Sequence, residues 1–228
     1  MAVHSGPDIV TDGLHSCWDA ADKVSYVGSG TVLTDLSGLG HHGSMNNASV
    51  GTTNPNFFTF DGNDGIAISD QASAFTGFTT VAVAAWVYWG AQSSEDIIFA
   101  SGAAETNGTL LQTRGTSGIR AIHCDDTNYY LIDFTSGTPI PQNTWKYVVM
   151  TFDDTTLRLY IDAVHRDYDS SGNSMGQSIT TPYIGAAPWY ALERNWIGKI
   201  ASVSVYTKNL SAAEVTQNFN AHRPRFGV

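Results

Sequence analysis

Trp145-Lys146-Tyr147-Val148-Val149-Met150-Thr151-Phe152, Asp153-Asp154-Thr155-Thr156, Leu157-Arg158-Leu159-Tyr160-Ile161-Asp162: this stretch decides the fold. Two runs rich in β-branched and aromatic residues flank four polar ones, which predicts an antiparallel hairpin with a solvated tip. Toward the N-terminus, 79–89 places Val81, Val83, Ala85, Val87 and Trp89 on one face and Thr80, Ala82, Ala84, Trp86 and Tyr88 on the other. Both faces are largely apolar, so this strand is expected to lie centrally, covered on both sides. Shorter strands are predicted at 58–60, 66–68, 97–100, 109–113, 119–124 and 129–134, each bounded by Gly, Asn, Asp or Ser. Toward the C-terminus come 183–185 and then 197–206, which alternates Ile200, Ser202, Ser204 and Tyr206 against Ala201, Val203 and Val205.

One helix is expected. Ser211-Ala212-Ala213-Glu214 is a capping box, and the helix it starts should end near Asn220, with Arg223-Pro224-Arg225 continuing as an extended tail. No composition break divides the 228 residues. A single all-β domain follows, a two-sheet antiparallel sandwich or jelly roll with a core over about 14–217, one short C-terminal helix and a tail over 218–228.

Composition agrees. Charged residues make up 14% of the chain, against about 25% in an average soluble protein, while 22 glycines and 11% aromatics favour turns and strands. The 42% apolar fraction supports a core, and no apolar run approaches the roughly 18 residues of a membrane span, so membrane insertion is not expected. Eleven basic against 21 acidic residues give a net charge of -10, which repels a phosphate backbone and excludes sequence-independent nucleic-acid binding. Cys17 and Cys124 read as buried free thiols. The N-terminal residues lack a basic segment followed by an apolar one, so the chain is expected either to stay in the cytosol or to have lost a leader.

With these elements placed, the 145–162 hairpin resembles the central hairpin of laminin-G-like domains in the concanavalin A-like lectin/glucanase superfamily. Asp35-Leu36-Ser37-Gly38-Leu39-Gly40-His41-His42-Gly43 is similar to that family's Asp-x-Ser-Gly loop, and Phe58-Thr59-Phe60-Asp61-Gly62-Asn63-Asp64 to its first core strand and turn. Residues 197–206 with Leu210-Ser211-Ala212-Ala213-Glu214-Val215 resemble its closing strand and helix. The resemblance implies a sandwich of two curved antiparallel sheets. The terminal stretch from Gln217 to Val228 also resembles the endings of laminin-G-like structural proteins of tailed bacteriophages. Family members often carry an acidic pair after the Gly-x-Ile step of the closing strand, where this chain has Ala201 and Ser202.

A retaining glucanase of this superfamily sets its two carboxylates in a Glu-x-Asp-x-x-Glu strand. Glu95, Glu105, Glu193 and Glu214 are the only glutamates and none stands in that pattern, while Asp153 and Asp154 occupy a hairpin tip; no enzyme is expected. Gly38-x-Gly40-x-x-Gly43 matches a dinucleotide fingerprint without the strand and helix that fingerprint requires. His41 and His42 read as a surface loop. No cofactor is required, and calcium is the cation the turn aspartates suit; by resemblance Asp35 is its best ligand, against the alternative of an Asp bonding its own turn. Glycan binding needs aromatic platforms with polar partners. Two clusters qualify: Trp189, Tyr190, Glu193 and Arg194 between two strands, and Asp126 with Tyr129. Trp86, Trp89, Trp145 and Trp196 read as core.

The expected function is therefore a non-catalytic virion surface or tail-associated protein that recognises host carbohydrate, assembled in the host cytoplasm. The alternatives are a decoration protein working through other virion proteins, with Phe219, Arg223, Arg225 and Phe226 as its contact, and an extracellular carbohydrate-binding module of a bacterial enzyme or adhesin. A homo-oligomer stays open.

Overall fold

The computed structural model describes residues 8–53, 55–68, 72–75, 77–90, 95–101, 108–124, 128–137, 140–174, 181–187 and 194–228. In chain order the strands are β1 (Leu14–Asp19), β2 (Val32–Leu33), β3 (Gly43–Asn46), β4 (Ser49–Gly51), β5 (Phe57–Asp61) and β6 (Gly65–Ala67). Then come β7 (Val81–Trp89), β8 (Ile97–Ser101), β9 (Gly108–Arg114), β10 (Gly118–Cys124) and β11 (Asn128–Phe134). The last are β12 (Trp145–Phe152), β13 (Leu157–Ile161), β14 (Val164–Asp169), β15 (Asn173–Ser174), β16 (Tyr183–Ile184) and β17 (Ile197–Tyr206), followed by α1 (Ala212–His222).

The first sheet runs β14-β13-β12-β7-β17-β5-β4, with β1 added beside β17; the second runs β15-β11-β10-β9-β8-β16-β6-β3-β2. All named strand pairs are antiparallel. The predicted hairpin is β12–β13, with Val148 opposite Ile161 and Phe152 opposite Leu157. Strand β7 is central, as its two apolar faces require. Val81, Val83, Ala85, Val87 and Trp89 enter the core between the sheets with Phe58, Phe60, Phe99, Leu111, Met150, Phe152 and Trp196. Ala82, Ala84 and Trp86 turn the other way, into a second apolar layer with Tyr147, Tyr206, Val215 and Phe226.

Three features depart from the sequence expectation. First, Leu14–Asp19 is a full strand, paired to β17 from Leu14 opposite Tyr206 to Asp19 opposite Ser202. Second, β17 does not alternate strictly. A bulge between Ile200 and Ser202 puts Ile200 in the core with Val203 and Val205 and leaves Ala201 in the outer layer. Nearby Gly198 has φ +143 and a Cβ there would stand 2.3 Å from the Tyr88 carbonyl oxygen, so only glycine fits.

Third, the tail is not extended. The capping box forms as expected, but α1 runs to His222 and a 3-10 turn at Arg223–Arg225 follows, with Pro224 at the start of that turn where its missing N–H costs nothing. The chain end folds onto the first sheet. Phe226 stacks on Trp86 at 4.0 Å between centroids, and Arg225 makes a two-pronged ion pair with Asp19 at 2.6 and 2.8 Å. Phe226 and Arg225 are thus spent inside the molecule and do not form the outward contact expected of them.

Candidate functional site

Strands β8 to β11 offer the second sheet's outer face, and their register sets its content. Gln112 lies opposite both Ile97 and Arg120, and Arg120 lies opposite Asp133, so one row crosses four strands as Ile97–Gln112–Arg120–Asp133. Because side chains alternate along a strand, Arg114 joins this face from β9, and Leu110, Ile122, Leu131, Cys124 and Tyr129 continue it the other way. The tight β9–β10 turn brings the arginines together. Gly118 sits opposite Arg114, and a Cβ there would meet the Arg114 carbonyl oxygen at 2.5 Å and the Phe134 carbonyl oxygen at 2.8 Å.

Glu95, just before β8, is the hub of the charged end. Its Oε1 accepts from Arg114 Nη1 at 2.5 Å and from Arg120 Nη1 at 3.4 Å, and its Oε2 pairs with Arg194 Nη2 at 2.8 Å. Asp133 accepts two bonds from Arg120, at 2.6 and 2.8 Å, and stands 3.3 Å from Arg114 Nε. That doubly bonded fork holds the Asp133 carboxyl below the usual range and raises the guanidinium of Arg120 in turn.

Beside Arg120, Gln112 is fully buried, and among the described residues neither its Oε1 nor its Nε2 has a hydrogen-bond partner. A buried amide with donor and acceptor both unspent costs about 1–3 kcal/mol per group. Other buried polar atoms, the indole nitrogens of Trp86 and Trp196 among them, also lack partners among the described residues, but at Gln112 both ends of one amide are unpaired.

Two of the residues expected to bind sugar fall on this surface. Arg194 docks on Glu95, and Tyr129, half-buried, sits at the far end of β11, about 14 Å from Asp133 by strand rise. Trp189, Tyr190, Glu193 and Asp126 lie outside the described residues. Glu95, Gln112, Arg114, Arg120 and Asp133 were missed by sequence reasoning; the available signal was a Gln and two Arg at alternating strand positions that an apolar face would fill.

The Asp35 loop is built differently. Asp35 Oδ1 accepts from the Cys17 and Ser37 amides, both at 2.9 Å, and Oδ2 accepts from the Ser37 hydroxyl at 2.5 Å and the His41 amide at 3.1 Å. Four donors occupy this carboxylate, as befits an Asp that organises its own turn. Among the described residues no group of three His, Cys, Asp or Glu is placed to hold a metal ion. His42 is exposed, but His41 is not the surface residue expected: it is buried and packs against His15 at 4.3 Å between ring centroids, tilted by 36°, with Phe75 edge-on to both rings. Ala201 and Ser202, in place of the acidic pair, are buried at the β17 bulge.

Other surfaces offer less. A cavity of about 680 Å³ lies between the N-terminal segment and the end of α1, but its Asp19 and Arg225 already neutralise each other. Trp145, half-buried where core was expected, lies beside Tyr88, and the Lys199 ammonium sits 4.3 Å above Phe57 and 4.7 Å above Tyr88. Cys17 and Cys124 are buried and unbridged, and burial pushes the Cys17 thiol up to about 12, which leaves it inert.

A laminin-G-type family profile, described as the concanavalin A-like lectin/glucanases superfamily, matches residues 60–216. No curated protein sequence gives a match. The binding domain of Paraclostridial mosquitocidal protein 1 superposes with a TM-score of 0.70 at 13% identity, over 93% of this chain and 53% of that one. A botulinum neurotoxin type C structure, described with cell entry dependent on two ganglioside molecules, gives 0.67 at 14% identity over 93% and 52%. Domain 4 of AbnA, a GH43 extracellular arabinanase from Geobacillus stearothermophilus in complex with arabinotriose, gives 0.61 at 16% over 91% and 98%. The chain spans about half of the two toxin chains and about a third of a matching Trypanosoma rangeli sialidase. At these identities the likeness shows the fold.

Proposed function

The chain belongs to the concanavalin A-like lectin/glucanases superfamily, and we propose that it is a non-catalytic recognition module that binds glycan on the outer face of its second sheet. The observation that carries this reading is the buried Gln112 amide, unpartnered at both ends beside Arg120 and on the same face as Arg114. A sugar hydroxyl both donates and accepts, which is the complement such an amide lacks. Gln112 is fully buried, so this reading requires the Arg114 side chain, 38% exposed, to move aside when a ligand binds. Tyr129 and Leu131, both half-buried on β11, offer a surface for the sugar's apolar face.

The neighbours support recognition: arabinotriose is bound in the arabinanase structure, and gangliosides are named for the neurotoxin. Against catalysis stand the roles of the described carboxylates. Glu95 is tied to three arginines, Glu214 caps α1, and Asp153 bonds the Thr155 and Thr156 amides and Arg158 at the hairpin tip. The virion setting rests on the resemblance of the C-terminal stretch to phage structural proteins. An extracellular binding module is the alternative that the near-complete overlap with the arabinanase domain favours.

A decoration role through protein contacts has one observation of its own. Val24, Val27, Val32 and Leu39 are each more than 60% exposed, around the edge strand β2. A glycan array with wild type and Gln112→Leu separates the readings. Saturable binding that falls at least about tenfold in the variant supports recognition; silence of the wild type across the array, or binding untouched by the variant, contradicts it.

A further inference from the structure

We infer that the chain has a second carbohydrate surface, at the open end of the first sheet's outer face, and that it takes an acidic oligosaccharide there. This rests on the reading of the chain as a glycan-recognition module, but not on the Gln112 face. Cross-strand register builds the surface. Trp145 lies opposite Tyr88, Tyr88 opposite Lys199, Lys199 opposite Thr59 and Thr59 opposite Ser49, so one row crosses β12, β7, β17, β5 and β4. The strand neighbours Val87, Ile200, Phe58 and Phe60 enter the core between the sheets, which turns the row outward. The chain end stops short of it. Phe226 covers Trp86, next along β7 on this face, and meets Trp145 at 4.8 Å between centroids, while Trp145, Tyr88, Lys199 and Thr59 stay half-buried and Ser49 exposed.

Lys199 decides the class of ligand. Its ammonium lies 4.3 Å from the Phe57 ring centroid and 4.7 Å from that of Tyr88, so two aromatic faces hold it in place. Among the described residues it pairs with no carboxylate, whereas every other basic side chain either makes an ion pair or is exposed. Ring faces supply no counter-charge, and a half-buried cation gains from one. An ammonium offers three donors and no acceptor, which a carboxylate or sulfate complements with short, charge-assisted bonds. Beside it the Tyr88 and Trp145 rings, 5.5 Å apart, form a platform for the apolar face of a sugar ring, and Thr59 and Ser49 extend the row with hydroxyls. Neighbouring strands are about 4.8 Å apart, close to the length of one pyranose unit. An oligosaccharide lying across the strands therefore meets one side chain of the row with each of its units.

The test titrates the full chain with oligogalacturonate, sulfated cello-oligosaccharide and neutral cello-oligosaccharide of matched length, by calorimetry at low and high salt. At least one of the two acidic sugars should bind at least about tenfold tighter than the neutral one and weaken as salt rises; which of them binds tighter tells carboxylate from sulfate. Lys199→Met, which keeps the packed stem and removes the charge, should abolish most of that preference. Trp145→Ala should weaken every sugar, with melting temperatures recorded so that a folding defect in one variant leaves the other decisive. Acidic binding that survives Gln112→Leu but falls in Lys199→Met supports this surface even if the Gln112 face fails. Acidic binding lost in Gln112→Leu and kept in Lys199→Met and Trp145→Ala would overturn the second surface while leaving glycan recognition standing. Equal affinity for the neutral sugar would overturn the acidic assignment, and binding of no sugar at all would overturn both readings.

Discussion

On the outer face of the first sheet, Trp86 is covered by Phe226 at 4.0 Å and by Phe219 at 5.6 Å, and Arg225 locks the chain end to Asp19. On the outer face of the second sheet, Gln112 is equally buried, but its side-chain amide has no hydrogen-bond partner among the described residues. The same backbone arrangement thus carries two kinds of surface. One is closed by the protein's own terminus, whose rings pack on Trp86, even though the Trp86 indole N–H also lacks a partner among the described residues. The other leaves a whole side-chain amide unpaired, at a cost to stability. Functional sites are where such local inconsistency is expected.

The most severe way to break this contrast is to strip the closed face. Phe226→Ala removes a stacked ring that is 9% exposed and should cost about 3 kcal/mol in urea unfolding. Trp86 should gain solvent access, seen as a red shift in fluorescence. A cost below about 1 kcal/mol would mean that the terminus does not seal this face. A smaller effect sharpens the contrast between the satisfied Asp35 and the unsatisfied Gln112. Asp35→Ala strands the amides of Cys17, Ser37 and His41 and should cost about 2–3 kcal/mol. Calcium should leave the wild-type melting temperature unchanged. A calcium-dependent rise that disappears in Asp35→Asn would instead put a cation on that carboxylate.

Acid provides the next test. Burial, with the neighbouring His41 second, lowers His15 from 6.5 to about 4. The unfolded chain therefore takes up a proton at pH values where the folded chain refuses it. Stability should be fully present above about pH 6.5, decline as pH falls toward 4, and level off for this group below that. With solvent screening the loss should be about 1–2 kcal/mol. Replacing His15 with Leu should reduce the loss in that window and leave the share of His41, which burial also lowers, whereas the carboxyls Asp133, Asp153, Asp169 and Glu214, themselves lowered, act at lower pH. An unchanged pH profile in His15→Leu would place the acid sensitivity elsewhere.

Much of the fold was legible because its signals are local. The 145–162 hairpin, the doubly apolar β7 and the Ser211 capping box each announce themselves within twenty residues, and each formed where expected. What failed was what neighbours decide. The β17 bulge breaks a period-two count that the sequence pattern alone extends without interruption. The terminus read as extended because Pro224 cannot continue a helix, yet a proline opens a 3-10 turn without penalty, and Phe226 found an aromatic partner 140 residues upstream.

The site was less legible than the fold. Loop aromatics draw attention in a sequence, and that signal led to Arg194 and Tyr129, which the structure puts on the same sheet face. Glu95, Gln112, Arg114, Arg120 and Asp133 come from four separate segments, and only cross-strand register unites them. No spacing along the chain encodes that meeting.

The smallest stability change bears most directly on the central claim, that the second sheet's outer face gives up stability for recognition. Gln112→Leu fills the same site without an unpaired amide and should stabilise the fold by about 1 kcal/mol. Melting temperature and glycan binding measured on one preparation of wild type and variant test this together. A rise in the first and a loss of at least about tenfold in the second are expected. A variant that is destabilised while still binding sugar as wild type does would contradict it.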